Sequence, residues 1–385
     1  MDITCIFTIS LYITAKIKGL TGFLRCSNNF LVNLILITQR SVLFFRMTRL
    51  FPRHKWKSNH KIETKNDTWQ RSEILTSEIF MQLLLNGLVV GSIYGLIALG
   101  YTMVYGIMGL INFAHGEVVM FGGMICISIL TGFIGMGIQL PGFALVLLAM
   151  ICTIPVCMAI GYTMELVAYR PLRRAPRLAP LITAIGLSIV LQQVAVIIWG
   201  TSYVKFPAIL DHTPITIMGA VVTKIQILIV VLCFAIMFGM LAVVNKTKLG
   251  RAMRSTSQKP DVARLMGVNV NWVISITFML GSGLGAIAGV MHAANYDQIH
   301  YTTGFMIGLK AFCAAVLGGI GNLTGAVVGG LVLGIAESFF AGTISSITNG
   351  FLGSNYQDIF SFFVLIMVLV FRPSGLLGEK QADRA

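Results

Sequence analysis

Residues 81–117 read MQLLLNGLVVGSIYGLIALGYTMVYGIMGLINFAHGE. From Gln82 to Ile107 no residue carries a charge, and about 20 such residues are enough to cross the hydrocarbon core of a bilayer. Lipid offers no partner to open backbone groups, so a crossing segment of this kind is a helix. Gly87, Gly91 and Gly95 recur at four-residue spacing, which places small residues on one helical face and lets a second backbone approach closely. The stretch then changes character. Gly106-Ile-Met-Gly109-Leu-Ile-Asn112-Phe-Ala-His115-Gly116-Glu117 sets Asn, His and Glu among glycines, which predicts a broken helix.

Working outward, apolar segments follow at 111–133, 143–168, 180–199, 225–244, 273–294, 309–342 and 357–371. The expected fold is all-α: a polytopic membrane helix bundle of about eight spans, including broken or re-entrant helices. Segment 309–342 is too long for one span and must return to the side it left, as two short spans or a re-entrant hairpin. Gly281, Gly285 and Gly289 repeat the small-residue ladder in the sixth span, and Gly325 and Gly329 continue it in the seventh. The similar ladders of the first and sixth spans suggest an internal repeat of the kind transporters contain.

Composition agrees. Of 385 residues, 56% are hydrophobic and 11% charged. The mean hydropathy is +0.85. A soluble domain carries about a quarter charged residues, so a soluble single-core enzyme, a disordered chain and a fibrous one are excluded. The net charge of +14 would prompt a nucleic-acid reading in a soluble protein. In a membrane protein it marks cytoplasmic loops, and the basic stretches lack interleaved aromatics, so no nucleic-acid partner is expected. The loop Tyr169–Arg177 holds four arginines and no acid, and Asn245–Trp272 holds six basic residues against Asp261. Both are expected inside, with the tail carrying Arg372, Lys380 and Arg384; the loop 200–224 is expected outside. The C-terminus is therefore predicted to be cytoplasmic.

The charge is uneven: residues 1–80 carry a net +7, and residues 81–385 carry the other +7. Eight basic residues lie between Arg46 and Arg71 in a polar stretch whose composition does not order itself. The apolar runs Ile3–Ile13 and Phe30–Thr38 are too short to span. Residues 1–80 are expected to be a basic extension, with Met81 as the true start; 81–379 form the membrane domain, and 380–385 a cytoplasmic tail.

No GxxxxGK[ST], HExxH or GxSxG is present in the sequence, so no ATP binding through a P-loop is expected of this chain. Gly283-Leu-Gly285-Ala-Ile-Ala288 imitates a dinucleotide fingerprint but lies inside an apolar helix without a preceding strand. The seven cysteines form no CxxC and read as small buried hydrophobes, with no metal or disulfide framework.

Two stretches carry function. Asn112, His115 and Glu117 sit at membrane depth, where polar groups are costly and face a cavity or a partner. They line a polar path, or they cap the ends of a break; both readings stand at this point. The second stretch is the loop Lys248–Asn269. Pro260 and Asp261 suit the first turn of a helix and Gly267 suits its stop. The implied short helix shows Val262, Leu265 and Met266 on one face and Arg264 on the other. Such a helix docks a soluble partner or lies on the membrane surface.

The run from Asn86 to Gly123 closely resembles the opening of the LivH-type permeases of branched-chain amino-acid ABC importers. AYRPLRRAPRLAPLITAIGLSIVLQQ, GRAMRSTSQKPDVARLMGVNVNWVISITFMLGSGLGAIAGVM and GLKAFCAAVLGGIGNLTGAVVGGLVLGIAES resemble its later landmarks. The resemblance covers about Gln82 to Glu379. It implies a multi-pass protein of the bacterial inner membrane, paired with a second permease of the same superfamily, two cytoplasmic P-loop ATPase subunits and a periplasmic binding protein. It implies that Gly250, Arg251, Arg254, Asp261, Ala263 and Gly267 belong to the ATPase-coupling loop, and that ATP is used by the partners, with no cofactor in this chain. Under it, Asn112, His115, Glu117 and Asn322, the last beside Gly318-Gly-Ile-Gly321, are the candidate substrate-path residues. Urea and short-chain amide importers use similar permeases and are the close alternative. A passive channel would need no docking helix. A membrane enzyme would need clustered ionisable residues, whereas His115, Glu117, Glu165, His292, Lys310 and Glu337 are scattered along the sequence.

Overall fold

A computed structural model describes residues 77–378 except 139, 174, 177, 211–212, 218, 349–355 and 373. The expected basic extension, apart from its last four residues, and the tail 380–385 lie outside the described residues.

The described chain is helical and polytopic, as expected. The helices are α1 (Ser77–Met108), α2 (His115–Gly135), α3 (Gly142–Met164), α4 (Leu178–Trp199), α5 (Lys224–Lys246), α6 (Lys248–Gln258), α7 (Pro260–Leu265), α8 (Val270–Tyr296), α9 (Thr303–Gly318), α10 (Leu323–Ile347) and α11 (Gln357–Phe371). Among the described residues, seven of these are long and apolar enough to cross a membrane; α9 and α11 are apolar but shorter. Segment 309–342 resolves into α9 and α10, separated at Gly319-Ile-Gly321, where both glycines adopt positive φ (+106° and +97°). α3 runs directly into a π-helical turn, Glu165–Tyr169.

The described residues also hold four short strands, which the sequence does not lead one to expect. β1 (Val204–Lys205) pairs antiparallel with β4 (Gln298–Ile299), and β2 (Pro214–Ile217) with β3 (Ala220–Thr223). They mark one end of the bundle. Gln82 ties α1 to this end, its amide donating to the Val221 carbonyl and its carbonyl oxygen accepting from the Val221 N–H. The opposite end gathers the arginine loop, α6–α7, the α9–α10 turn and the chain segment after α11. There Arg173 donates to Asn271 Oδ1 at 2.6 Å, and the N–H groups of Leu376 and Leu377 donate to the carbonyls of Leu317 and Gly318. With α9 and α10 as separate helices, and α1 starting at the strand end, every long helix alternates direction through the bundle.

α8 and α1 are central. Of their most apolar windows 83% and 67% is buried, against 17% for α4, whose Ile182 and Ile197 face outward. α8 packs on α1, α2 and α3, and α10 lies along α1. The first glycine ladder explains that contact. A Cβ on Gly87 would meet the Ile335 Cα at 2.6 Å, and one on Gly91 the Leu331 Cα at 2.9 Å. The partner stripe on α10 is Gly330 and Gly334, which abut Gly95 and Gly91, while Gly325 and Gly329 face α9 instead. α10 thus presents two small-residue faces, of which the sequence reading found one. Gly289 packs backbone to backbone on Val119 of α2. Gly281 and Gly285 serve differently: a Cβ on either would lie 3.7 or 3.6 Å from His115 Cε1, an ordinary contact, whereas one on Gly100 would meet His115 Nε2 at 2.6 Å, so Gly100 is the position that makes room for the imidazole. Gly283 and Ala288 of the dinucleotide decoy are buried within α8.

Among the described cysteines, Cys126, Cys157, Cys233 and Cys313 are buried, as expected, but Cys152 is exposed on α3. An outward position on an apolar helix suits a small hydrophobe equally well when the surroundings are lipid.

Candidate functional site

The broken helix forms where the sequence predicts it. α1 ends at Met108, Gly109 follows at φ +64°, and α2 starts at His115. The three polar residues of the break take separate positions. Asn112 is buried, and its Oδ1 accepts from the Tyr169 hydroxyl at 2.5 Å. Tyr169 is the last residue of the π turn and packs its ring on Phe278 of α8 at 5.2 Å. His115 is buried between α1 and α8, edge-on to Tyr101 at 4.7 Å, in the space left by Gly100 and alongside Gly281 and Gly285.

Glu117 is fully buried. Its Oε1 accepts from Ser188 Oγ and from Gln192 Nε2, both at 2.8 Å and both on α4. Its Oε2 has no hydrogen-bond partner and lies against Gly304, the residue before Phe305. Among the described residues no cation comes within ion-pair distance of this carboxylate. Ser188 and Gln192 in turn line a cavity of about 370 Å³ whose other walls are Phe113, Ile185, Ile189, Phe305 and Leu309. Ile189 and Phe305 are exposed, so the cavity opens on the outer face of the chain. A concave, mostly apolar space with a few convergent polar groups is the usual form of a small-molecule site.

Asn322 is elsewhere. Its side chain caps α10, with Oδ1 accepting from the N–H groups of Thr324 and Gly325, while Nδ2 donates to the Leu377 carbonyl at 2.8 Å. Its amide is thus committed to the α9–α10 turn and the segment after α11.

The ionisable residues that look scattered along the sequence are not all isolated in space. Lys310 Nζ lies 2.5 Å from Glu337 Oε1 and 2.6 Å from Asp358 Oδ1, joining α9, α10 and α11, and sits over the Tyr94 ring. Glu165 is wholly buried in the π turn, where it pairs with Arg173 and accepts from Ser275 Oγ at 2.7 Å. Desolvation lowers the Arg173 pKa from its usual value, an effect that Glu165 opposes. Ser188, Gln192 and Asp358 were missed by the sequence reading. Ser188 and Gln192 were legible only as polar residues within an apolar run on α4.

The loop Lys248–Asn269, expected to couple to the ATPase, folds as two helices. α6, not anticipated, turns off α5 where Gly250 packs directly on the Val244 carbonyl, and Arg254 donates to that carbonyl and to Asn245 Oδ1. Arg251 is exposed. α7 matches expectation: Pro260 and Asp261 open it, Ala263 is buried beneath it, and Gly267 ends it at φ +84°. Val262, Leu265 and Met266 project outward, the last two more than three-quarters exposed.

The family described as "Branched-chain amino acid transport system / permease component" matches residues 83–369, three-quarters of the chain and all but a few residues of the helical bundle. The chain belongs to this family. The high-affinity branched-chain amino acid transport system permease protein BraD of Pseudomonas aeruginosa is 43% identical over 309 residues, 79% of this chain and 98% of the relative. The corresponding protein LivH of Escherichia coli K12 is 40% identical over 309 residues, with 79% and 97% covered. A probable branched-chain amino acid transport permease protein LivH of Methanocaldococcus jannaschii is 26% identical over 321 residues, with 80% and 95% covered. The sequence-based fold and family expectations therefore hold for the permease.

Proposed function

We propose that this permease carries leucine, isoleucine and valine across the inner membrane as one of two permease chains of an ATP-binding-cassette importer. The observation that carries the substrate class is the 370 Å³ cavity: an apolar wall for an aliphatic side chain, with Ser188 and Gln192 as its polar lining, both donating to the unneutralised Glu117 behind them, which suits an ammonium. Urea has no apolar part for the same wall. The cavity opens outward on α4 and α9, and the second permease closes it there. His115 and the Asn112–Tyr169 bond form the floor of the path.

The energy enters from outside this chain. Two ATPase subunits hold the ATP and dock on α7 through Val262, Leu265 and Met266. Gly250, Arg251, Arg254, Asp261, Ala263 and Gly267 build the elbow that transmits their motion. A periplasmic binding protein delivers substrate at the strand end, and the arginine-rich end, with the C-terminus, faces the cytoplasm in accord with the positive-inside rule. Uptake of labelled leucine against labelled urea by the reconstituted complex tests the substrate: leucine taken up and urea not is the expected outcome, and the reverse refutes it. Leu265→Glu should abolish co-purification of the ATPase in mild detergent while leaving the permease folded. Undiminished co-purification would refute the docking surface.

A further inference from the structure

At the arginine-rich end a second cavity, of about 690 Å³, opens between the end of α1, the arginine loop, α6–α7 and the start of α8. One wall is apolar, formed by Ile107, Met108 and Ile274. The other is made of Arg170, Arg173, Arg264 and Thr256. Thr256 is 2% exposed, and its hydroxyl has no hydrogen-bond partner; the Arg173 Nε is likewise buried and unpartnered. Among the described residues, Arg170 and Arg173 share one carboxylate, Glu165, and Arg264 reaches only the exposed Asp261, at 3.5 Å. Three guanidinium groups against two carboxylates leave an excess positive charge beside an unused hydroxyl and an unused N–H. Buried polar groups of this kind are satisfied as a rule, so their idleness marks a place for an acceptor.

The two cavities flank one six-residue segment. Leu110 lines this one, Phe113 lines the 370 Å³ cavity, and Asn112, bonded to Tyr169, stands between them. We propose that the 690 Å³ cavity is a product-side binding site that takes the carboxylate of an aliphatic amino acid once it has passed the Asn112–Tyr169 barrier. This rests on the transport reading above. Arg170, Arg173 and Thr256 hold the carboxylate, Asp261 at the rim takes the ammonium, and the α1–α8 wall takes the side chain. The central helices α1 and α8 wall the cavity, and an acid accompanies its basic groups. A zwitterion fits that arrangement better than a lipid phosphodiester does.

The test is equilibrium binding to the full chain with its partner permease and ATPases in nanodiscs, without ATP. The probe is 4-methylpentanoate, which lacks the ammonium that Glu117 would hold and so reads this cavity alone. We expect it to bind, 3-methylbutylamine not to compete, and Thr256→Val and Arg170→Gln each to weaken binding about tenfold, the effect of losing one hydrogen bond to a charged group. Lys205→Gln, which removes a charge at the strand end, should leave binding unchanged. No binding of 4-methylpentanoate, or equal binding by Thr256→Val and Arg170→Gln, overturns the proposal. Displacement by inorganic phosphate at equal affinity also overturns it, assigning the cavity to phosphate groups. Should Arg170→Gln fail to fold, Thr256→Val, which is nearly isosteric, carries the comparison. Leucine uptake measured on the same complex separates the two readings. Binding without uptake refutes the transport reading, and uptake without this binding refutes only the product-side site.

Discussion

Two buried carboxylates on neighbouring parts of the bundle are treated differently. Glu337 is neutralised: Lys310 bridges it to Asp358, and three helices, α9, α10 and α11, are stapled together. Glu117 has only neutral partners, Ser188 and Gln192, and a cavity beside them. Each leaves one oxygen without a hydrogen bond, so hydrogen bonding does not separate them. Charge does. Burying a carboxylate is expensive in either place. Where a cation meets the cost within the chain, the group is part of the scaffold. Where none does, as at Glu117, the carboxylate is open to the role proposed above, that of meeting the ammonium of an amino acid.

That contrast can be broken at several points. The largest expected effect is on the staple. Lys310→Met strands two acidic side chains, one of them deeply buried, and should cost about 3–5 kcal/mol of stability. Thermal unfolding in detergent reads it, and adding Glu337→Gln should recover part of the loss. A Lys310→Met protein of wild-type stability would remove the structural half of the contrast. Next in size is Gly334→Leu, which drives a side chain into the Gly91 backbone and should cost at least the 1–3 kcal/mol typical of overpacking. It tests whether α1, which carries the Glu117 break at its end, depends on α10 for its position. Smaller is Gln192→Leu. It removes one donor from Glu117 and should slow leucine uptake about tenfold with little change in unfolding temperature. The smallest is Tyr169→Phe, which deletes one bond to Asn112 and should cost about 1 kcal/mol, read as the same shift in unfolding.

The contrast also separates what the sequence makes legible from what it does not. Span positions follow from uncharged runs of sufficient length, so α1 to α5 and α8 stand where the hydropathy puts them. The break after Gly109 and the stop at Gly267 are legible because glycine takes positive φ at little cost, and both do so here. The α7 knob is legible from Pro260, Asp261 and its apolar face. Pairings between distant segments are not legible. Nothing in the spacing of Lys310, Glu337 and Asp358 says that they meet, because the three consecutive helices that carry them must first be packed. The same is true of Ser188 and Gln192, which lie about 70 positions from Glu117 in the chain. Short pairings such as β1 with β4 also escape, since two-residue strands leave no period to read. The glycine ladders sit between these cases: the stripe is plain in sequence, but only the fold distinguishes Gly281 and Gly285, which lie beside His115 with room to spare, from Gly289, which brings two backbones together.

The central claim is that Glu117 is a working group and not a scaffold group. The most direct test is Glu117→Gln, which keeps the shape and can still bond Ser188 and Gln192, in the complete reconstituted transporter. The measurement is the initial rate of labelled leucine uptake, taken beside the unfolding temperature of the same preparation. The account predicts uptake reduced about tenfold or more with the unfolding temperature preserved. Uptake at the wild-type rate, or a loss of stability like that of Lys310→Met, would contradict it.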